Sequence, residues 1–368
     1  MALKKIMLVF GTRPEAIKMC PLVLELKKRK TVETLVCVTG QHREMLDSVL
    51  HIFGVVPDYD LAVMKEGQTL FDVTCFVLLG MKKILEEASP DAVLVHGDTT
   101  TAFAASLACY YLKIPVGHVE AGLRTGDLYA PFPEEFNRMA VASLAAYHFA
   151  PTLSARENLL REGKPEKSIY VTGNTVIDAL KTTVRTDYTH PMLERAAGRR
   201  MILMTAHRRE SLGEPMRRMF SAVRALCDAH PDIFLIYPVH PNPAVGEAAH
   251  AAFDGCANAV LIPPLDVVDF HNFMARAYFI LTDSGGAQEE APSLGVPVLV
   301  MRDTTERPEG LAAGTARLVG TDGAAILSAC ETLLCDSAEY ERMAHAENPY
   351  GDGHASERIA DILAADGR

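Results

Sequence analysis

The stretch "LTDSGGAQEEAPSLGVPVLV", Leu281 to Val300, reads as strand, glycine turn, helix and strand in twenty residues. The apolar run ending at Thr282 meets Gly285 and Gly286; Glu289 and Glu290 stand on the helix that follows, and a second apolar run opens at Val298. Glycines let the chain turn and permit close approach of backbone. The first N–H groups of a helix have no partner within it and carry roughly half a positive charge. That end suits a diphosphate, while a carboxylate one turn further in can accept hydrogen bonds from ribose hydroxyls. A nucleoside diphosphate meets both demands.

The same unit recurs outward from this stretch. Short apolar runs alternate with longer amphipathic segments, the pattern of βα units around a parallel sheet. Strands are expected at Ile6–Phe10, Thr34–Thr39, Ala92–His96, Val116–Val119, His148–Ala150 and Ile169–Thr172. The series restarts at Met201–Thr205 and continues through Ile233–Pro238, Val260–Ile262, Phe279–Thr282 and Val298–Met301. Two successive sheets follow, with a boundary near Gly173, so one α/β domain is expected over 1–172 and a second over 173–353. Ile359, Ile362 and Leu363 lie at helical spacing, so the last segment, 354–368, is expected to pack back on the first domain.

Bulk composition narrows the function classes. A chain of 368 residues with 49% hydrophobic side chains can bury sizeable cores, and a formal net charge of −11 supplies no field for nucleic acid or an anionic membrane. An anionic ligand must therefore be held by local groups. The N-terminal apolar run, Ile6 to Phe10, falls short of the ~7–15 residues of a signal-peptide core, and no run approaches the ~20 residues of a membrane helix. The eight cysteines are scattered, without a C-x-x-C pair or a Cys/His cluster at zinc spacing. Reduced thiols in a cytoplasmic protein fit that pattern.

Ligands of open parallel sheets collect beyond the carboxyl ends of the strands, so the residues there carry the chemistry. After the first strand, "GTRPEAIKM" offers Gly11 for a tight turn, Pro14 for a helix start, and the cations Arg13 and Lys18. A capped helix with solvated cations explains the same letters. Neither the P-loop spacing G-x-x-x-x-G-K-[ST] nor a G-x-G-x-x-G after a strand occurs, which disfavours a simple ATPase or a dinucleotide enzyme. "VLVHGDTTTAFAAS" places Asp98 after a strand, where it or Thr99 also serves as a helix cap. "GHVEAGLRTGD" adds Glu120 past the next strand, and "PFPEEFNRMA" brings Glu134, Glu135 and Arg138. Carboxylates crowded at one edge repel each other and favour protonated forms, which suits acid/base chemistry. The competing reading is a hard cation held by such acids with His96. In the second half His207 follows a strand beside Arg208 and Arg209, a titrating imidazole next to phosphate-gripping guanidiniums or a mixed-charge surface cap. His240 sits likewise at a strand end, in the Pro-flanked "YPVHPNP".

Taken together, "FGTRPEAIKM", "HGDTTT", "GHVEAGLRTGD", "PEEFNR", "HRRES", "DSGGAQEEAPSLGVPVLVMRDTTERPE" and "NPYGDG" resemble the bacterial non-hydrolysing UDP-N-acetylglucosamine 2-epimerases, from Phe10 to about Gly353. The resemblance implies an α/β, GT-B-like pair of Rossmann-type parallel-sheet domains with the active site in the cleft between them. It implies reversible conversion of UDP-GlcNAc to UDP-ManNAc through 2-acetamidoglucal, with UDP as the departing group, to supply surface polysaccharide. A homodimer is expected, and no cofactor or metal. Carried over by motif, the acid/base set is Asp98, Glu120, Glu134 and His207, with Arg13, Lys18 and Arg138 beside it. Ser284, Gly285 and Gly286 would hold the diphosphate and Glu290 the ribose. A second, activating UDP-GlcNAc, bound in some members, maps to Gln41, Glu44, Glu134, Arg208 and His240. The chain departs from some relatives by Glu44 in place of Gln and Ala206 in place of Gly. A GT-B glycosyltransferase, a hydrolysing epimerase that releases ManNAc, and a nucleotide-sugar sensor share parts of this pattern; a sensor would not need the acids.

Overall fold

The computed structural model describes residues 3–40, 43–64 and 67–365, the side chains of residues 43 and 44 excepted. The chain divides into two compact units, one formed by Met1–Thr182 with Tyr350–Arg368 and the other by Thr183–Pro349. The division falls after Thr182, ten residues past the Gly173 boundary expected from sequence. The intervening helix Thr175–Thr183 is held by the C-terminal segment, since Asp178 accepts hydrogen bonds from the amides of Ala355 at 3.2 Å and Ser356 at 2.8 Å. The Asn174 amide donates to the Tyr350 carbonyl at 2.7 Å. The C-terminal helix Ala355–Ala365 buries Ile359 and Leu363 and half-buries Ile362, the three residues whose spacing predicts it, and buries Ala360 beside them.

In the first unit seven parallel strands, β1 (Lys4–Phe10), β2 (Val32–Val38), β3 (Tyr59–Asp60), β4 (Ala92–His96), β5 (Val116–Val119), β6 (Tyr147–Ala150) and β7 (Ile169–Val171), lie in the order β3-β2-β1-β4-β5-β6-β7. Residues Ile6 to Phe10 of β1 and all of β4 are buried, as expected of central strands covered on both faces. The order reverses between β1 and β4, so the chain leaves these neighbours in opposite directions and opens a crevice at their carboxyl ends.

The second unit repeats the plan with β8 (Arg200–Thr205), β9 (Ile233–Pro238), β10 (Ala259–Ile262), β11 (Phe279–Thr282), β12 (Val298–Val300) and β13 (Ala316–Leu318), ordered β10-β9-β8-β11-β12-β13. Its switch point lies between β8 and β11, where Thr205 pairs with Thr282 in register. One face of this sheet packs Phe220, Tyr237 and Phe253 around the helix Glu214–Ala229; the other packs Phe234, Phe273 and Ile280. A fully buried aromatic or aliphatic side chain stabilises by about 1.5–3 kcal/mol, so these clusters fix the sheet that aims the strand ends.

Candidate active site

Beyond β1, Gly11 passes so close to its neighbours that a Cβ there would lie 2.0 Å from Thr39 Oγ1 and 2.8 Å from Thr101 Oγ1. Only glycine fits without displacement. Thr12 caps the helix Arg13–Lys27, with Glu15 completing a capping box. Glu15 Oε2 accepts from the amides of Gly11 at 2.9 Å and Thr12 at 2.8 Å and from the Thr12 hydroxyl at 2.8 Å, while Oε1 accepts from the Thr99 hydroxyl at 2.7 Å. The Arg13 side chain is half-buried on this turn and makes no hydrogen bond or ion pair among the described residues.

The acids beyond β4 and β5 form one network. Glu120 adopts a φ of 62°, a left-handed conformation rarely taken by a residue with a side chain. Its Oε2 pairs with Lys18 Nζ, accepts from Asn174 Nδ2 at 2.8 Å and lies 3.7 Å from His96 Nε2. Burial pushes the His96 imidazole down to about 4 against the pull of Glu120, so the ring is neutral near pH 7. Asp98 pairs with Arg138 through Oδ2 and Nη2 at 2.6 Å. Burial raises the Asp98 carboxyl above its ordinary value, the Arg138 guanidinium opposes the rise, and the charges of Glu120 and Glu134 add to it. Glu134 opens the helix Glu134–Leu144; Glu135 beside it is buried and accepts from the amides of Thr125 and Gly126 at 3.1 Å. The Lys18–Glu120 and Asp98–Arg138 pairs thus lie together beyond the carboxyl ends of β4 and β5, near enough to Glu134 for its charge to act on Asp98. Among the described residues no cluster of three or more His, Cys, Asp or Glu side chains is arranged for a metal ion, and Glu120 is turned instead toward Lys18 and Asn174.

In the second unit the decisive group is Asp283, fully buried directly after β11. Its Oδ2 accepts from the amides of His207 at 2.5 Å and Arg208 at 2.8 Å, and Oδ1 lies 3.1 Å from His207 Nδ1. Burial pushes the Asp283 carboxyl up, but the His207 ring and these two amides outweigh it and hold it below its ordinary value. The His207 ring stacks on His240, with centroids 5.3 Å apart and planes inclined by 11°. Burial, with the neighbouring His207 ring, lowers the His240 imidazole. Arg208 donates through Nε to the Asp283 carbonyl at 3.3 Å.

At the glycine turn, Ser284 donates its amide to the Thr282 hydroxyl at 2.9 Å, and Gln288 Nε2 donates to the Ser284 carbonyl at 3.0 Å. Gly285 and Gly286 open the helix Gly285–Glu290. A Cβ on Gly285 would stand 3.7 Å from the Arg307 guanidinium, which pairs with buried Glu289. Arg302 is engaged with Glu306 at 2.8 and 3.1 Å and lies 3.3 Å from Glu210. Glu290 Oε2 lies 3.4 Å from His271 Nε2, and His271 Nδ1 meets the Thr183 hydroxyl at 2.7 Å. Gln41 and the Glu44 side chain, assigned from sequence to a second nucleotide, fall outside the described residues. Glu15, Asn174, Asp283 and His271 are functional neighbours that the sequence alone does not single out. Asp283 carried the same signal as Asp98, an acid directly after a strand, and Glu15 the T-x-x-E of a capping box. Asn174 and His271 carried none, because only the fold brings them to their carboxylates.

The family model for UDP-N-acetylglucosamine 2-epimerase matches residues 24–364. The UDP-N-acetylglucosamine 2-epimerase of Bacillus subtilis is 58% identical over 359 residues, covering 98% of this chain and 94% of the relative. A crystal structure of a UDP-N-acetylglucosamine 2-epimerase candidate from Listeria monocytogenes superimposes with a TM-score of 0.95 at 55% identity, over 98% of this chain and 96% of the other. That of UDP-GlcNAc 2-epimerase from Neisseria meningitidis, bound to UDP-GlcNAc, gives a TM-score of 0.89 at 47% identity over 98% and 100%. With two doubly wound parallel sheets and matches of this length and identity, the chain belongs to the UDP-N-acetylglucosamine 2-epimerase family.

Proposed function

We propose that the protein interconverts UDP-N-acetylglucosamine and UDP-N-acetylmannosamine, without releasing free sugar, by eliminating UDP and adding it back. The observation that carries this reading is the network at the carboxyl end of the first sheet, in which Lys18, Asn174 and His96 converge on Glu120 beside the Asp98–Arg138 pair. The proton on sugar C2 has no adjacent carbonyl to acidify it, so simple deprotonation is unfavourable. Loss of UDP from C1 together with the C2 proton gives 2-acetamidoglucal; protonation on the other face and return of UDP give the epimer. Such a reaction needs more than one acid/base group with different proton affinities. Burial raises Asp98, whereas Glu120 faces the Lys18 ammonium, so the site offers carboxyls in unlike surroundings.

The departing diphosphate must be stabilised where its charge develops. The Ser284–Gly286 turn with Arg307 over Gly285, and the imidazole of His207 oriented by Asp283, are the groups we assign to that task, with Glu290 receiving the ribose. A crystal structure of a 47% identical relative bound to UDP-GlcNAc supports the substrate. We further assign Gln41, Glu44, Glu134, Arg208 and His240 to a second, activating UDP-GlcNAc, and place the homodimeric enzyme in the cytoplasm as a supplier of surface-polysaccharide precursors. Incubation with UDP-GlcNAc and identification of products by NMR tests the reading. A reversible mixture with UDP-ManNAc is expected; free ManNAc with stoichiometric UDP would mark a hydrolysing enzyme instead.

A further inference from the structure

Gly97, Asp98 and Thr99, at the carboxyl end of β4, are each held by a polar side chain from a different element. His118 Nε2, on β5, lies 2.7 Å from the Gly97 carbonyl. Asn137 Nδ2, on the helix Glu134–Leu144, donates to the Asp98 carbonyl at 2.9 Å. The Thr99 hydroxyl donates to Glu15 Oε1, on the helix Arg13–Lys27, at 2.7 Å. His118, Asn137 and Glu15 are 0, 3 and 2% exposed, and buried polar groups are costly unless their hydrogen bonds are made. A strand-to-helix turn requires much less. Thr99 already supplies the ordinary cap, accepting from the Ala102 amide at 3.0 Å.

A carbonyl only accepts, so His118 carries its proton on Nε2; burial pushes this ring down to about 3, leaving it neutral with Nδ1 unprotonated. The Thr99 oxygen accepts a hydrogen bond from the Ala102 amide and its hydroxyl donates one to Glu15, so the hydroxyl points one way. Every bond runs to the backbone of Asp98 or to its chain neighbours, and none to the Asp98 carboxylate, which meets Arg138.

We propose that Glu15, His118 and Asn137 form a frame of positioning residues that fixes the Asp98 carboxylate for proton transfer to and from the sugar. This rests on the reading of Asp98 as an acid/base group. A misplacement of about 1 Å costs on the order of 10²-fold in rate, which gives the frame its value.

The test measures kcat, KM, melting temperature and the isotope effect of C2-deuterated UDP-GlcNAc on turnover for Asp98→Asn, Asn137→Ala, Glu15→Gln, Thr99→Val and Thr99→Ser. Asn137→Ala and Thr99→Val are expected to lower kcat by about 10²-fold with KM little changed and an enlarged C2 isotope effect. Glu15→Gln, which leaves the Thr99 cap in place, should shift the isotope effect the same way, and Thr99→Ser should recover most of the loss seen with Thr99→Val. A purely structural role would lower the melting temperature and leave the isotope effect as it was, and that result would overturn the frame. Wild-type turnover in Asp98→Asn would instead overturn the reading on which it rests.

Discussion

The Asp283 carboxylate holds His207 twice, by the residue's own amide at 2.5 Å and by ring Nδ1 at 3.1 Å. The two come from adjacent strands, β8 and β11, at the switch point of the second sheet. Such a pair sets both the direction of the imidazole and which nitrogen faces outward, since Nδ1 is turned to the acid and Nε2 is left for a ligand. Asp283→Asn should therefore lower turnover by about 10²-fold or more, comparable to removal of a positioned acid/base group.

The same residue predicts a pH dependence of stability. Its folded value is depressed, so the stability it adds is present above its unfolded value near pH 4 and is lost as pH falls through the lower folded value. The difference in melting temperature between wild type and Asp283→Asn should be large at pH 7 and shrink below about pH 4. A difference independent of pH would show that the charge of Asp283 contributes nothing to folding.

Asp98→Asn, Glu120→Gln, Glu134→Gln and His207→Asn should each reduce turnover by about 10²–10⁴-fold. Steady-state kinetics on variants with wild-type melting behaviour checks this. Full activity in all four would mean that the reaction takes place elsewhere on the molecule.

Gly11→Ala should destabilise the first unit by about 1–3 kcal/mol, because its Cβ would meet Thr39 Oγ1 at 2.0 Å. Combining it with Thr39→Ala should recover part of the loss. Chemical denaturation of the single and double variants tests the geometry; no recovery would place the conflict at Thr101 instead.

If a second UDP-GlcNAc acts through Gln41, Arg208 and His240, the reaction started from pure UDP-ManNAc should show a lag that added UDP-GlcNAc abolishes. The stacking of His240 on His207 gives one route by which that ligand would bear on the reaction. A progress curve without a lag would contradict it.

Strand runs and strand-end acids were legible in the sequence because both are local. Of the thirteen strands among the described residues, eleven lie within two residues of where the sequence predicts them; β3, two residues long, and β13, three, are edge strands too short to show a run. The acids Asp98 and Glu120 stood out by following apolar runs, and the Gly285–Gly286 turn by its composition. Partners were not legible. Asn174 meets Glu120 from 54 positions away and Asp283 meets His207 from 76, distances that only the order of strands in a sheet can close. The tie between the helix Thr175–Thr183 and the C-terminal segment is illegible for the same reason, since Asp178 bonds to residues 177 and 178 positions downstream.

The most direct measurement follows UDP-GlcNAc carrying oxygen-18 in its C1–O–P bridge through epimerisation in D₂O. Elimination breaks the C2–H bond and frees the diphosphate. Provided the captured proton exchanges with solvent, the UDP-ManNAc formed carries deuterium at C2. The label also moves from the bridge into non-bridging oxygens, because the released diphosphate turns before it returns. Epimerisation with neither deuterium at C2 nor movement of the bridge label would contradict elimination and re-addition, and would require a route in which the bond to UDP is never broken.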